Sequence, residues 1–208
     1  MSIHFILVLF ISYLLGSISW GYLMGKFTKK IDLRNFGSGN TGFANALRVL
    51  GVFPGIIVLA GDIGKGILAV EAGNLVAPYT GINPQVVKGM AGLFSIIGHN
   101  WSVFLKFRGG KGVATSAGVF MILTPFPFLF SLLIMGGVLF FTRYFSLGSM
   151  LSSLTLPLFI WLWQGNGEEF YLVLSGVVAG LILFRHQSNI KRLLRGKERK
   201  LGEKIRVE

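Results

Sequence analysis

Cysteine is absent from this 208-residue chain, so it has neither disulfides nor thiolate metal sites. Its three histidines, His4, His99 and His186, lie too far apart in sequence to give metal-ligand spacing. Charged residues make up only 13%, about half the share usual in a soluble domain. Several signatures are also missing. No G-x-x-x-x-G-K-S/T run is present, which excludes a Walker A nucleotide loop. No Ser-His-Asp order, carboxylate pair or His-x-x-x-x-Asp run is evident, so covalent and carboxylate acid–base chemistry have little support. No internal repeat and no alternating barrel pattern is visible, and the first apolar run is too long for a signal peptide.

What remains is apolar. Hydrophobic residues make up 52% of the chain, and mean hydropathy is +0.68. Seven apolar segments recur, at residues 5–24, 49–70, 86–105, 113–123, 126–141, 150–163 and 170–184. In lipid every backbone polar group must be satisfied internally, which leaves helices as the spanning element here. The expected fold is therefore an all-α, polytopic integral membrane protein with about seven transmembrane helices. Two are short; the fourth, eleven residues long, is too short to cross a bilayer fully. Gly16, Ser17, Ser19 and Gly21 make a small-residue patch suited to close helix packing in the first. Residues 71–84 read as a polar connection, 146–149 as a small-residue turn, and 164–169 as an acidic turn.

Net charge is +12. In a soluble protein that suggests nucleic acid; here it reads as positive-inside bias, and no nucleic-acid partner is expected. Seven crossings put eighteen of the twenty lysines and arginines on one side. That side is the cytoplasm by the positive-inside rule, with the N-terminus outside and the C-terminus inside. Residues 1–208 then form a single membrane-embedded domain, and 187–208 a basic cytoplasmic tail.

Two glycine-rich basic loops converge on the cytoplasmic face. The first runs from Gly37 to Arg48, with Ser38, Gly39, Asn40, Thr41, Gly42 and Asn45 between. Its glycines permit tight turns that aim backbone N–H groups at an anion, and a helix start follows. A flexible connection is the alternative reading. The second holds Lys106, Arg108, Gly109, Gly110, Lys111 and Gly112 and feeds the half-length helix. It offers N–H groups and an ammonium to a phosphate, although a positive-inside anchor would also explain its charge. Arg48, Lys106, Arg108, Lys111 and Arg185 are enough cations for more than one phosphate. His186 and Asn189, three apart at the last helix end, share a face. Asp62 and Lys65, three apart inside a span, form either an ion pair or part of a site. His99, at a span end, and Ser149, in the small-residue turn, stay open.

In their order, these motifs resemble the bacterial membrane acyl-phosphate:glycerol-3-phosphate acyltransferases. The first resembles Gly37-Ser38-Gly39-Asn40 through Arg48; the second, Gly98-His99 and then Phe104 through Thr115; the third, Arg185-His186 through Asn189-Ile190, Arg192-Leu193 and Gly196. The resemblance implies transfer of a fatty acyl group from acyl-phosphate to the 1-hydroxyl of glycerol 3-phosphate, as a step of phospholipid biosynthesis in the bacterial cytoplasmic membrane. It implies Arg48, Lys111, Ser149 and His186 as catalytic residues. Substrate binding falls to Ser38, Gly39, Asn40, Gly42, Asn45, Lys106, Gly109, Gly110, Gly112 and Asn189, with no metal and no cofactor. Implied partners are the two substrates, membrane lipids and the enzyme that supplies acyl-phosphate. Two departures stand out. The family's threonine hydroxyl is replaced by Ala44, so its role is not carried over, and Trp101-Ser102 stands where Phe-Pro is common, a difference expected to affect packing only. The rival readings are a transporter of a phosphorylated small molecule and a structural subunit that binds acidic lipids. Alternating access favours related halves and polar groups near the midplane, whereas here no repeat is visible and the polar residues cluster on one face.

Overall fold

The computed structural model describes residues 2–164 and 169–203, and every described element is helical. Ten α-helices follow in order: α1 Ile3–Ser17, α2 Trp20–Lys29, α3 Phe43–Leu50, α4 Val52–Val76, α5 Pro84–Asn100, α6 Val113–Leu123, α7 Pro125–Thr142, α8 Phe145–Gln164, α9 Glu169–Arg185 and α10 Gln187–Leu194. Helices cover all seven apolar segments, but the first is divided into α1 and α2 at Ile18 and Ser19, the second begins in α3 and continues in α4, and the α-helix of the third ends at Asn100. By length and composition, Ile3–Lys29, Val52–Tyr79, Pro125–Thr142 and Phe145–Trp163 can cross a membrane. The bent pair α9 and α10, at 61°, makes a fifth candidate. α6 keeps the eleven residues expected of it, between Gly112 in a left-handed conformation and Pro125.

Three boundaries differ from expectation. α4 continues to Val76, because Glu71 is one acid in an otherwise small and apolar stretch that a helix tolerates. The segment read as 49–70 breaks at Gly51, whose positive φ separates α3 from α4, while Pro54 lies within the first turn of α4, where proline costs no intrahelical hydrogen bond. Residues 146–149 are the first turn of α8, not a loop. The acidic turn expected at 164–169 lies mostly outside the described residues, as does the chain beyond Glu203.

Small residues set the packing. A Cβ on Gly16 of α1 would sit 2.1 Å from Ser95 O of α5, and one on Gly98 of α5 would sit 2.2 Å from Tyr13 O of α1. The same reciprocity joins α4 to α6, with Gly66 2.3 Å from Thr115 O and Gly118 2.1 Å from Ile63 O. Backbones pressed this close gain dispersion contacts that lipid cannot offer them separately. α7 turns most of its apolar surface outward, with only Pro127 and Ser131 buried, as suits a lipid-facing helix. The expected tail does not trail free: α10 is followed by residues 195–203, which fold back along the bundle. Leu201 N–H donates to Arg143 O (2.7 Å), and Arg48 Nη2 donates to Arg199 O (3.3 Å).

Candidate active site

A cavity of about 260 Å3 opens where α3, the N-terminus of α6 and the α9–α10 break meet. One end is polar, lined by Arg48, Lys111, His186, Asn189, Arg192 and Glu198. The other is apolar, walled by Leu59 and Ile63 of α4, Ala117 and Met121 of α6, and Phe128 and Leu132 of α7.

Asn45 explains the shape of the first loop. Its Oδ1 accepts Ser38 N–H (2.8 Å), and its Nδ2 donates to Leu33 O, Phe36 O and Asn40 O at 3.3, 3.0 and 2.8 Å. Gly39 N–H donates to Phe36 O, and Gly42 N–H to Asn40 Oδ1. The N–H groups of Ser38, Gly39 and Gly42, expected to face an anion, are therefore engaged within the loop. What the loop presents instead is the start of α3: Phe43 and Ala44 line the cavity, and their N–H groups, ahead of the first intrahelical bonds, have no intrahelical partner. Arg48, 7% exposed, extends from this helix with its Nε buried and without a hydrogen-bond partner. A buried, unpaired guanidinium N–H is costly, and an anion in the cavity would satisfy it.

The second loop departs from expectation in the same way. Gly109 N–H donates to Asn100 O (3.2 Å) and Gly110 N–H to His99 O (2.9 Å). Their carbonyls accept from Arg185, with Nε to Gly110 O at 3.0 Å and Nη2 to Gly109 O at 3.2 Å. Arg185, counted among the phosphate cations in the sequence, is thus a clamp on the loop, and it also lies over the Trp101 ring at 5.5 Å. Lys106 and Arg108 point outward and are exposed. Lys111 turns into the cavity, and its Nζ donates to Asn189 Oδ1. Burial, together with Arg192, lowers its ammonium to a pKa of about 8; Glu198 opposes the fall, while Arg48 and Arg185 add to it.

His186 is 2% exposed, and its Nδ1 lies 2.8 Å from Ile182 O. A carbonyl only accepts, so Nδ1 carries the proton and Nε2 is the ring atom left for other partners.

Of the residues singled out in the sequence, Ser38, Asn40, Gly42, Asn45, Arg48, Lys111, Gly112, His186 and Asn189 line this cavity. Gly39, Lys106, Gly109, Gly110 and Ser149 do not. Ser149 donates back to Phe145 O and faces a smaller cavity of about 60 Å3, because it lies on the same face of α8 as Ser146 but about one turn further along the helix. The two cavities share the wall residues Val113, Ala117, Phe128, Leu132 and Met135.

Glu198 went unforeseen, along with its partners. Its carboxylate accepts from Ser146 Oγ (2.8 Å), Asn189 Nδ2 (2.6 Å) and Arg192 Nε (2.8 Å). Burial alone would raise this acid, but those three donors outweigh it and hold the carboxyl below the usual range. Its sequence signal was faint, since it is one of three glutamates in a stretch dominated by lysine and arginine. Asp62 and His99, left open in the sequence, also line the cavity, so carboxylates are present in it after all. Among the described residues no group of three His, Asp or Glu side chains is placed to hold a metal.

The sequence model of the family "Glycerol-3-phosphate acyltransferase" matches residues 6–196. A glycerol-3-phosphate acyltransferase of Thermoanaerobacter pseudethanolicus is 44% identical over 203 residues, 98% of either chain. One of Halalkalibacterium halodurans is 47% identical over 195 residues, 93% of either chain. The crystal structure of PlsY (YgiH), an integral membrane glycerol 3-phosphate acyltransferase in its glycerol 3-phosphate form, superposes with a TM-score of 0.85 at 38% identity, covering 95% of this chain and 96% of that one. With matches of this length and identity, carried on the same helical frame, the chain belongs to the glycerol-3-phosphate acyltransferase family.

Proposed function

We propose that the protein moves a fatty acyl group from acyl-phosphate to the 1-hydroxyl of glycerol 3-phosphate, giving 1-acylglycerol 3-phosphate and inorganic phosphate. The observation that carries this reading is the two-part cavity, with buried cations at one end and an apolar wall between helices at the other. An acyl-phosphate has the same two parts. Its chain lies along α4, α6 and α7, and its phosphate lies near Lys111 and Arg48. The neighbouring structures support the acceptor and product, since one is described as the glycerol 3-phosphate form of PlsY and the other as its lysphosphatidic acid form.

The 1-hydroxyl oxygen attacks the acyl carbonyl carbon, and the bond from that carbon to the phosphate oxygen breaks. The hydroxyl proton passes to a phosphate oxygen, so the balance closes without a cofactor. Lys111, Arg48 and the α3 and α6 N-termini stabilise the charge that develops on phosphate and carbonyl oxygen. His186 Nε2 and Asn189 orient the acceptor. Gly109 and Gly110 shape the loop that presents Lys111, Lys106 steers anions at the mouth, and Ser149 supports the α8 turn that carries Ser146. The domain spans 1–208 in the bacterial cytoplasmic membrane, with the N-terminus outside and the site facing the cytoplasm.

The test is formation of 1-acylglycerol 3-phosphate by the purified protein from glycerol 3-phosphate, supplied with acyl-phosphate, acyl-CoA or acylated carrier protein, with and without chelator. Turnover is expected from acyl-phosphate alone, unchanged by chelator. Sustained turnover from acyl-CoA free of acyl-phosphate would overturn the donor assignment.

A further inference from the structure

Three buried groups have no part in that scheme. Asp62 and Lys65 lie on α4, and His99 lies near the end of α5; they are 1%, 3% and 6% exposed. Lys65 Nζ is 2.9 Å from Asp62 Oδ1 and donates to Ile18 O at 2.8 Å, in the break between α1 and α2. The same Asp62 oxygen lies 3.4 Å from His99 Nδ1, an ionic approach outside hydrogen-bond geometry. A buried ion pair is weak evidence for stability, because well-packed apolar residues often serve as well. Its presence beside the cavity calls for another account.

The account lies on the far side of the imidazole. With Nδ1 turned to Asp62, His99 Nε2 faces Gly110, where a Cβ would fall 1.9 Å away. A Cβ on Gly109 would fall 2.0 Å from His99 O. The Gly109-Gly110 turn is therefore moulded onto one residue, which also accepts Gly110 N–H through its carbonyl. Arg185 grips the turn from the other side by both carbonyls. Lys111 is the next residue, so the seating of the turn fixes where its side chain begins.

We propose that Asp62 and His99 are positioning residues: Asp62 orients the imidazole, the imidazole seats the Gly109-Gly110 turn, and the turn sets the place of the Lys111 ammonium. The proposal rests on the functional reading above only for what Lys111 then does. A group misplaced by about 1 Å can cost on the order of 100-fold in rate, so the effect on catalysis is measurable.

The experiment uses the full chain in detergent as wild type, His99→Ala, His99→Gln and Asp62→Asn. One readout needs no turnover: the pH dependence of Lys111 acylation by an amine-reactive reagent, followed by peptide mass spectrometry. The other is kcat/KM for phosphate release, normalised to folded protein by thermal unfolding. In the wild type the Lys111 midpoint is expected at about 8. His99→Ala should move that midpoint and lower kcat/KM by about tenfold or more. His99→Gln keeps a polar atom for Asp62 and should restore most of both; Asp62→Asn should resemble His99→Ala. Should His99→Ala fold and leave the Lys111 midpoint in place, the proposal is wrong, whatever its activity. A shifted midpoint in a protein whose wild type does not turn over acyl-phosphate would instead sink the functional reading and leave the positioning role standing.

Discussion

Lys111 is where charge, burial and loop geometry meet, and replacing it gives a graded test. Its ammonium is held at about 8 against an ordinary 10.5, chiefly by burial. That difference corresponds to roughly 3 kcal/mol by which the charged form is disfavoured in the substrate-free protein. A substrate phosphate placed beside it recovers much of that energy, because the same low dielectric strengthens the attraction. The sign is fixed by the direction of the shift: Lys111 carries its charge below about pH 8 and loses it above. In the free enzyme kcat/KM should therefore fall along an alkaline limb centred near 8, while the kcat limb lies higher because bound phosphate holds the proton. Lys111→Ala should abolish that limb and cost about 100-fold or more in kcat/KM, the scale of one preorganised charge-stabilising group. Lys111→Arg keeps a charge that does not titrate here, so the limb should vanish while activity returns only in part; the planar fork fits poorly between Gly110 and Gly112. Lys191→Ala, exposed on α10, serves as the control and should change little. The assay is steady-state phosphate release from pH 6 to about 10. A Lys111→Ala enzyme that keeps the wild-type alkaline limb would refute this assignment.

Two further outcomes follow from the frame. Labels at the N-terminus and at residues 164–169 should react from outside the cell, and a label following Glu208 only after the membrane is opened; outside access to the 109–112 loop would reverse the topology. Gly118→Leu would drive a side chain into Ile63 O, 2.1 Å from its would-be Cβ, and should lower Tm and folded yield. Gly136→Leu on α7, where a Cβ meets nothing within 4 Å, should be tolerated.

Much of this was legible in the sequence. Apolar runs announce helices whatever their neighbours do, and a run as short as 113–123 between a glycine loop and a proline has little room to be anything else. The convergence of Arg48, Lys111, His186 and Asn189 was legible too, because the positive-inside rule put their loops on one face. The hydrogen bonding of those loops was not. Glycine spacing permits an N–H nest, but whether the N–H groups stay free depends on side chains folding back, here Asn45 and Asn40, and on where α5 ends, here at His99 and Asn100. Nor does spacing tell Ser146 from Ser149: three apart, they share one face of α8, and only their depth along the helix places them against different cavities. Glu198 was hidden for a different reason: its partners lie on α8 and α10, and only the fold of residues 195–203 brings them together.

Glu198 also yields a prediction with two opposite signs. Its carboxylate sits among Asn189, Arg192 and Ser146, in the field of Arg48 and Lys111. Without substrate it is the counter-ion that keeps those cations from repelling one another. Glu198→Gln preserves the size and a hydrogen-bonding end but removes the charge. Because the carboxylate is buried but its partner Arg192 is 29% exposed, the expected stability loss is that of charge-assisted hydrogen bonds, about 1.5 kcal/mol. The loss should depend on pH. The folded carboxyl titrates below its unfolded value of 4.5, so the stabilisation is present above that value and disappears as pH falls through the folded one. Wild type and variant should therefore converge in Tm on acidification. Phosphate acts the other way: without the carboxylate the cations are freer to take an anion. Inorganic phosphate should raise the Tm of Glu198→Gln more than that of wild type, by the mass-action relation between ligand and stability. Thermal unfolding in detergent at pH 7 and pH 4, with and without phosphate, separates the two effects. An equal phosphate shift in both proteins would show that Glu198 does not face the anion site, however well it holds Arg192 and Asn189 in place.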